Sequence, residues 1–418
     1  MSTARVDIVP NSEDELVAYL RELSATAAVD TPRCRIVGSG SWLNGGAPVR
    51  ATARLHTRQL RGVVEYVPGD LVLTVGAGTT LAEIAEITAA HDQWLALDPF
   101  LSAPHSEDAG DADQPSPSGS AIEAAGSATI GATIATASQG PLALGFGRPR
   151  DLVLGMSVIT GDGTRIRAGG RVVKNVAGFD LVRLNTGAWG SLGVITQVSM
   201  RLHARPAIDE TVAIDVLLPT DSAARYAVIE RLAVQLNSAP LLATTSSLAA
   251  LVMLVGDDRA QILARLQGNA ARVRAQRAAL STVGDLAVHP THVWSRVRTT
   301  LRGTVVVRAV DAPSRAADML KNVEEWLERV HSTNSTVIVE PMRGAIRVAC
   351  TPSESATAAP TTVLLPPRAI AEQLPRVWWA QCAPVADDAL SQQLRRRCDP
   401  AGLLNPGIVG PAVPQHAL

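Results

Sequence analysis

The sequence predicts an α+β protein built from two domains. Its 418 residues exceed what one compact core usually holds. Short strands alternate with helices up to about residue 204, and a new pattern begins at Ile208. That pattern, β-α-β-β-α-β, is typical of an antiparallel sheet with helices on one face. We therefore predict a first domain over residues 1–205, a second over 206–385 and a C-terminal segment over 386–418.

Two helices of the first domain carry clear start signals. The helix over 11–29 has Asn11 or Ser12 as its N-cap and acidic residues in its first turn. The helix over 79–91 begins at a threonine, and Glu83 follows at the position that completes a capping box. Short strands are expected at 35–37 and 71–75.

A long segment of the first domain has the composition of a loop. Residues 102–127 consist mostly of Ser, Pro, Gly, Asp and Ala. Such a segment buries too little apolar surface to offset the entropy lost when it is ordered. We therefore predict a mobile acidic loop over 102–127.

Hydrophobic periodicity predicts the elements of the second domain. Its strands are expected at 211–218, 251–255, 304–310, 335–339 and 345–349, and its helices at 222–237, 259–279 and 312–330. A proline-rich region, 352–375, separates these elements from a last helix at 387–397.

Composition excludes several classes of function. With 38 basic and 39 acidic side chains, the chain lacks the basic surface that nucleic acid or anionic lipid requires. The four cysteines show no C-x-x-C spacing, which argues against a metal or iron–sulfur cluster within this chain and fits a reducing compartment. No signal-peptide core and no apolar run of the ~20 residues that span a bilayer is present. We expect a cytoplasmic protein without direct membrane insertion.

Three segments have the residue types of a ligand site. In VGSGSWLNGG (37–46) successive amides can form an anion-binding nest, although a plain Gly/Ser turn explains the pattern equally well. The segment lacks the third glycine of a dinucleotide fingerprint and the Gly-Lys of a phosphate-binding P-loop. GSATIGATIATASQG (126–140) has small side chains that allow a flat ligand to lie along the main chain, or that form a buried strand or helix. GGRVVKNVAGFDLVRLNTGAWGSLGVI (169–195) places Lys174, one of two lysines, between glycine-bounded turns.

Six motifs follow one another along the chain: GSGS, VGAGTTLAEI, TIGATIAT, RPRDLVLG, KNVAGFDL…GSLGVIT and DPAGLLNPG. In this order they resemble the flavoprotein superfamily of vanillyl-alcohol oxidase and the FAD-linked hydroxy-acid dehydrogenases. The KNVAGFDL…GSLGVIT wording is most similar to the small FAD-binding subunits of glycolate oxidases. The resemblance covers about residues 30–205 and 390–410. It implies a two-subdomain FAD-binding domain, a cap domain with an antiparallel sheet, and a C-terminal segment that returns to the FAD domain.

The resemblance also implies a set of FAD-binding residues. The diphosphate would be wrapped by the loop Gly38, Ser39, Gly40, Ser41 and Trp42. The ribityl chain and the flavin ring would be lined by Thr129, Ile130, Gly131, Ala132, Ala135, Thr136 and Ala137. Ile195 would meet the adenine through its backbone, and Asn405 would reach the flavin neighbourhood from the C-terminal segment. Lys174 either belongs to the flavin surroundings or forms a salt bridge that fixes its own loop.

Two positions depart from the family pattern. Some relatives attach FAD through a histidine just after the loop glycines, where this chain has Ser41 and Trp42. We therefore expect non-covalent FAD. The usual Gly-Gly after Thr-Ile is Gly131-Ala132 here, which adds one methyl group to the expected ligand surface.

The sequence leaves the catalytic residues unassigned. Oxidation of a 2-hydroxy acid needs a cation for the carboxylate, a base for the hydroxyl proton and the flavin as hydride acceptor. Candidates in the second domain are Arg298, Arg308, Arg347, His289, His292 and His331. No metal site is expected among them. Two hypotheses follow: an FAD-dependent dehydrogenase for a small 2-hydroxy acid such as glycolate or lactate, or a largely non-catalytic, flavin-holding subunit of a hetero-oligomer. Either would have a second flavoprotein subunit and an iron–sulfur electron-transfer subunit as partners, and any membrane association would come through them. In a third reading, the flavin site has decayed and the fold serves as an interface.

Overall fold

The structure is a computed structural model, and it describes most of the chain. The described residues are 6–26, 31–100, 128–170, 180–243, 247–301, 303–332, 334–353, 365–379 and 388–409. The predicted acidic loop, 102–127, and Lys174 lie outside these residues. Nothing in the structure therefore tests those two predictions.

Helices and strands alternate along the described chain. The helices are α1 (Glu13–Ala25), α2 (Leu81–Ala89), α3 (Ile130–Ala135), α4 (Ala143–Phe146), α5 (Pro149–Leu152), α6 (Leu181–Asn185), α7 (Ser222–Leu236), α8 (Ala239–Ala243), α9 (Ala270–Leu280), α10 (Val293–Thr299), α11 (Ala316–Arg329), α12 (Arg376–Trp379) and α13 (Ala389–Cys398). The strands are β1 (Val6–Ile8), β2 (Cys34–Val37), β3 (Ala53–His56), β4 (Val63–Val67), β5 (Val72–Gly76), β6 (Gln93–Trp94), β7 (Val153–Ile159), β8 (Arg165–Gly169), β9 (Val194–Arg201), β10 (His203–Ala204), β11 (Ile208–Leu217), β12 (Leu248–Val255), β13 (Arg259–Gly268), β14 (Ala287–His289), β15 (Val305–Val310), β16 (Asn334–Glu340), β17 (Ala345–Thr351) and β18 (Ala369–Gln373).

The chain divides into two compact units. Unit 1 comprises residues 1–138, 148–204 and 383–418, and unit 2 comprises 139–147 and 205–382. Residues 139–147 fall within the predicted first domain but cluster with unit 2, because α4 packs on β12. The C-terminal segment clusters with unit 1.

Unit 1 contains two main sheets, each with its own core. The strands β1, β3 and β2 form a parallel three-stranded sheet, and β4-β5-β9-β7-β8 form an antiparallel five-stranded sheet. Leu16 and Leu20 of α1 pack with Leu55 of β3 in the first core. Ile130 and Ile134 of α3 pack in the core of the larger sheet. Each apolar side chain so buried contributes roughly 1.5–3 kcal/mol.

The helix starts of unit 1 follow local capping signals, as predicted. The Ser12 hydroxyl accepts from the Glu15 amide at 3.2 Å, and three acidic residues occupy the first turn of α1. Thr80 caps α2, and the Glu83 carboxylate returns to the Thr80 amide at 2.7 Å. This reciprocal pair satisfies two backbone donors that the helix itself leaves free.

Unit 2 is built on one eight-stranded antiparallel sheet. The strand order is β14-β11-β13-β12-β16-β17-β15-β18. Its largest core cluster includes Trp326 of α11 and Ile229 of α7, both fully buried. This unit confirms the predicted α+β class with an antiparallel sheet.

The predicted helix over 259–279 is wrong in its first half. Arg259–Gly268 is strand β13, which pairs with β11 on one side and β12 on the other. The helix begins only at Ala270, where the Asn269 side chain caps it by accepting from the Arg272 amide at 2.9 Å. The segment has good helix formers, yet two neighbouring strands decide its conformation through the hydrogen bonds of a central strand.

Candidate functional site

A cavity within unit 1 collects much of the predicted ligand site. It lies at the end of β2 and is bounded by α3, by the turn before β9 and by the C-terminal segment. Its volume is about 660 Å³, a value that includes the space open to solvent at its entrance. The lining residues are Arg35, Ile36, Val37, Gly38, Gly40, Ser41, Trp42, Leu43, Thr57, Gly131, Ala132, Ala135, Thr136, Trp189, Gly190, Gly193, Ile195, Asn405 and Ile408.

Residues 38–46, which we call the glycine loop, form one wall of the cavity. No helix follows β2; instead the Leu43 amide donates to the Gly40 carbonyl at 3.2 Å, and the Gly45 amide donates to the Trp42 carbonyl at 3.1 Å. Gly40 has φ +86° and Gly46 has φ +72°, a backbone conformation in which glycine carries no steric cost. The loop is therefore a succession of tight turns.

The glycine loop holds several donors that the protein does not use. None of the described residues accepts a hydrogen bond from the backbone amides of Ser39, Gly40, Ser41 or Trp42. The hydroxyls of Ser39 and Ser41 and the indole nitrogen of Trp42 are buried and unpaired within the described part of the chain. An unpaired buried polar group costs about 1–3 kcal/mol. A ligand with anionic oxygens would satisfy these donors.

Helix α3 forms the facing wall and brings its backbone close to the cavity. Thr129 caps the helix, and a Cβ on Gly38 would collide with the Thr129 hydroxyl. The Gly131 amide donates to the Ala77 carbonyl at 2.9 Å, and a Cβ on Gly131 would lie 2.7 Å from Ala77 Cβ. A side chain at Gly38 would therefore force Thr129 to move, and one at Gly131 would force α3 away from Ala77.

Asn405 joins the C-terminal segment to two walls of the cavity. Its side-chain oxygen accepts from the Ile36 amide at 2.8 Å, and its side-chain nitrogen donates to the Trp189 carbonyl at 2.7 Å. Asn405 is only 6% exposed and has φ +43°, a left-handed conformation that asparagine adopts more readily than most residues. Its amide also donates to the Cys34 carbonyl at 2.9 Å. These bonds fix the C-terminal segment beside β2.

Two tryptophans meet at the loop end of the cavity. The rings of Trp42 and Trp189 lie edge to face, with centroids 5.8 Å apart. Trp189 has φ +55°, which is strained for a bulky side chain. Its amide donates to the Ala135 carbonyl at 2.8 Å while Asn405 holds its carbonyl. These bonds stabilise a conformation that directs the indole toward Gly45, where an added Cβ would lie 2.9 Å from the Trp189 ring.

Ten of the predicted binding residues line the cavity. They are Gly38, Gly40, Ser41, Trp42, Gly131, Ala132, Ala135, Thr136, Ile195 and Asn405. Four others are not among its lining residues: Ser39, Thr129, Ile130 and Ala137. Thr129 and Ile130 are fully buried behind the wall, so their role in this structure is to position α3. Lys174 lies outside the described residues, and Asp180, near it in sequence, caps α6.

Sequence reasoning missed Arg35 and Trp189 as cavity residues. Arg35 lies on β2, and the glycine loop, which follows that strand, holds its guanidinium at the cavity through the carbonyls of Trp42 and Leu43. Trp189 interrupts a glycine-rich stretch, and a bulky residue between two glycines was the available signal.

The three candidate arginines of unit 2 have partners within the protein. Arg308 and Arg347 both bind Glu372, at 2.9 Å and 3.1 Å, and Arg347 also donates to the Gln139 carbonyl at 3.1 Å. Arg298 donates to the Trp294 carbonyl at 3.4 Å. The described residues contain no group of three or more His, Cys, Asp or Glu side chains that could hold a metal ion.

The unpaired donors of the glycine loop fit the diphosphate of FAD. The small residues Gly131, Ala132 and Ala135 on the facing wall allow a flat group to approach the helix backbone. The glycine loop and α3 therefore offer this cofactor complementary surfaces. No helix in the described ranges is long and apolar enough to cross a membrane.

Comparison with known proteins gives a partial sequence match. Residues 4–106 match the family model described as FAD binding domain. The chain is 36% identical to glycolate oxidase subunit GlcE of Escherichia coli K12 over 45% of its own length and 47% of that protein. It is 30% identical to glycolate oxidase subunit GlcD of Bacillus subtilis over 49% and 38% of the two chains, respectively. It is 29% identical to D-lactate dehydrogenase of Archaeoglobus fulgidus over 54% and 44%. The matches thus span less than half the length of each of these relatives.

Solved structures share the fold over almost the whole chain. Alkyldihydroxyacetonephosphate synthase superposes with a TM-score of 0.64 at 14% identity, covering 96% of this chain and 75% of that one. The VAO-type flavoprotein MtVAO615 of Myceliophthora thermophila C1 superposes with a TM-score of 0.61 at 14% identity, covering 96% and 79%. The family model thus gives residues 4–106 as an FAD-binding domain, with FAD as the cofactor, and the chain shares its fold with a VAO-type flavoprotein.

Proposed function

We propose that this chain is the FAD-holding subunit of an oxidoreductase that oxidises a small 2-hydroxy acid such as glycolate or lactate. The observation that carries the proposal is the set of unpaired donors at the glycine loop, opposite the small-residue face of α3. The relatives named as glycolate oxidase subunits and D-lactate dehydrogenase favour this substrate class.

The residues of this chain bind and orient the cofactor. The amides of the glycine loop would hold the diphosphate, and α3 would face the ribityl and flavin portion. Gly131 allows α3 to approach Ala77 closely, which positions this helix. Asn405 keeps β2 and the Trp189 turn in register, so the loop and the helix face the same space. When bound, FAD supplies the hydride acceptor, and the electrons then pass to a partner.

A second candidate is a largely non-catalytic subunit that holds FAD while a sister subunit binds substrate. The ion pairs of unit 2 favour it. Arg308 and Arg347 share the carboxylate of Glu372, so both guanidinium groups already have an internal counter-charge. A substrate carboxylate would have to compete with Glu372 for either one.

Anaerobic flavin reduction separates the two candidates. The purified chain, loaded with FAD, is mixed with glycolate or D-lactate without oxygen while the oxidised-flavin absorbance is followed. Bleaching within seconds supports the dehydrogenase. If the flavin stays oxidised with each acid, although dithionite reduces it, the non-catalytic subunit is supported. A chain that takes up no FAD contradicts both candidates.

The proposed partners are a second flavoprotein subunit and an iron–sulfur electron-transfer subunit. The relatives that are named as subunits GlcE and GlcD support a multi-subunit assembly. We place the chain in the cytoplasm, with any membrane association made through these partners. Affinity purification of the tagged chain from its native cells, followed by iron and flavin analysis, tests the assembly. Recovery of the chain without another flavoprotein or iron–sulfur protein would count against it.

A further inference from the structure

One charged side chain lines the cavity beside the glycine loop. Arg35 is the only charged side chain among the described residues that line it. The other lining side chains are apolar, small or neutral polar groups. A single cation in a partly enclosed site creates a positive potential, and low-dielectric walls strengthen it.

Arg35 has no counter-charge in the part of the chain that the structure describes. Its Nη2 atom donates to the Trp42 carbonyl at 3.3 Å and to the Leu43 carbonyl at 3.2 Å. These carbonyls are neutral acceptors, and no described carboxylate forms an ion pair with the guanidinium. Burial lowers the pKa of Arg35 to about 10, which reflects desolvation without a compensating anion. At neutral pH the group nevertheless keeps its charge.

This arrangement costs stability unless a ligand offsets it. A partly buried charge without a partner is unfavourable, and the adjacent unpaired amides and hydroxyls add to the cost. All of these groups are donors or positive charge, so they favour an anion in the same place. A diphosphate, with two negative charges close together, meets both requirements.

We infer that Arg35 is a further cofactor-binding residue, which supplies the positive charge that selects a diphosphate-bearing flavin over riboflavin. The inference rests on the proposed FAD site and adds a residue to it. Arg35 has two contributions. Its Nη2 hydrogen bonds hold the Trp42 and Leu43 carbonyls, and its charge attracts the diphosphate through the remaining guanidinium donors.

Two substitutions separate the charge from the hydrogen bonds. Arg35→Gln removes the charge but keeps an amide group that can donate to the loop carbonyls. Arg35→Lys keeps the positive charge but replaces the planar guanidinium with an ammonium group, whose donors are arranged differently. Flavin fluorescence then gives the dissociation constants of the wild-type and variant apoproteins for FAD and for riboflavin. Far-ultraviolet circular dichroism and thermal melting establish that each variant is folded.

The inference predicts a loss that depends on the phosphates. Arg35→Gln should weaken FAD binding about 10- to 100-fold, the range expected for a charge-assisted hydrogen bond, and leave riboflavin binding within about 3-fold of wild type. Arg35→Lys should retain most of the FAD affinity. Added salt should weaken FAD binding to the wild type more than to Arg35→Gln.

Other outcomes overturn the inference in distinguishable ways. Equal losses for FAD and riboflavin in Arg35→Gln would mean that Arg35 acts only by holding the loop. Unchanged affinity would mean that its charge does not reach the ligand. If Arg35→Gln does not fold, Arg35→Lys is titrated with ADP instead. Because this variant keeps the positive charge, loss of ADP binding in it would contradict the inference. A wild-type chain that binds neither flavin would instead defeat the proposed function.

Discussion

The side-chain nitrogen of Asn405 donates to the carbonyl of Trp189 at 2.7 Å, across 216 positions of sequence. The same side chain accepts from Ile36 on β2, so one amide group ties three separate segments together at the cavity. Trp189 and Asn405 both have positive φ, and this bond is one of those that stabilise the two conformations against their intrinsic cost. The geometry of the cofactor site therefore depends on a residue close to the end of the described chain.

Asn405→Asp should show how much this bond contributes. Aspartate keeps the acceptor for the Ile36 amide and tolerates the left-handed conformation, but it sets a second oxygen against the Trp189 carbonyl. We expect the free energy of unfolding at pH 8 to fall by about 2–4 kcal/mol, measured by urea denaturation.

The loss of unfolding free energy in Asn405→Asp, which we call the stability deficit, should depend on pH. Burial and the nearby carbonyl disfavour the charged form, so the pKa of the new carboxyl should be raised in the folded state. The deficit is then full above that raised pKa and shrinks as the pH falls toward about 4, because the protonated carboxyl can donate to Trp189. A deficit that is absent at pH 8, or that grows on acidification, would show that the Trp189 bond does not hold the site.

Gly131→Ala should damage the cofactor site by crowding. The added methyl group would lie 2.7 Å from Ala77 Cβ and 2.9 Å from the Ala77 carbonyl oxygen, so α3 must shift. We expect a loss of about 1–3 kcal/mol in unfolding free energy and weaker FAD binding by flavin-fluorescence titration.

Ala132→Gly is the matched control for Gly131→Ala. It removes a methyl group from the cavity wall and lowers helix stability by roughly 0.5–1 kcal/mol, yet FAD affinity should be unchanged or higher. If both variants bound FAD equally well, the close approach at Gly131 would not matter to the site.

Glu372→Gln should destabilise unit 2 in a pH-dependent way. Burial alone would raise the pKa of Glu372, but Arg347 and Arg308 outweigh it and hold the pKa below its ordinary value. The carboxylate therefore stabilises the fold above the ordinary carboxyl pKa of about 4.3, and this contribution is lost as the pH falls through the lower folded pKa.

At pH 7, Glu372→Gln should cost about 3–5 kcal/mol, because it leaves Arg308 without its carboxylate partner and Arg347 with only Glu340, at 3.5 Å. The difference from wild type should shrink below about pH 4. Glu325→Gln is the control: Glu325 pairs with Lys321 at 4.0 Å, both side chains are more than half exposed, and its loss should cost about 0–1 kcal/mol. Equal effects of the two substitutions in denaturation curves would contradict the role given to Glu372.

Local signals made the first two helices of unit 1 predictable from sequence. Ser12 and the Thr80–Glu83 pair cap their helices because their partners lie within three residues. The turns of the glycine loop were predictable for the same reason, since the Leu43 and Gly45 amides donate to carbonyls only three residues earlier. The resemblance to a family, rather than any local pattern, predicted that Asn405 would reach the site.

Features set by distant contacts could not be predicted in this way. The segment Arg259–Gly268 forms a strand because β11 and β12 flank it, although its residues favour a helix. Arg35 faces the cavity because the carbonyls of Trp42 and Leu43 hold its guanidinium there. Whether Arg308 and Arg347 bind a substrate or Glu372 depends on the register of three strands, which periodicity alone does not give.

The flavin content of the purified chain decides whether the glycine loop and α3 form a cofactor site. We predict a yellow protein with one FAD per chain, and after acid precipitation all of the FAD should appear in the supernatant, because Ser41 and Trp42 follow the loop glycines in place of an attachment histidine. Chromatography of the supernatant against FAD, FMN and riboflavin identifies the flavin. A colourless chain that takes up no FAD would contradict the cofactor site, and flavin retained in the precipitate would contradict non-covalent binding.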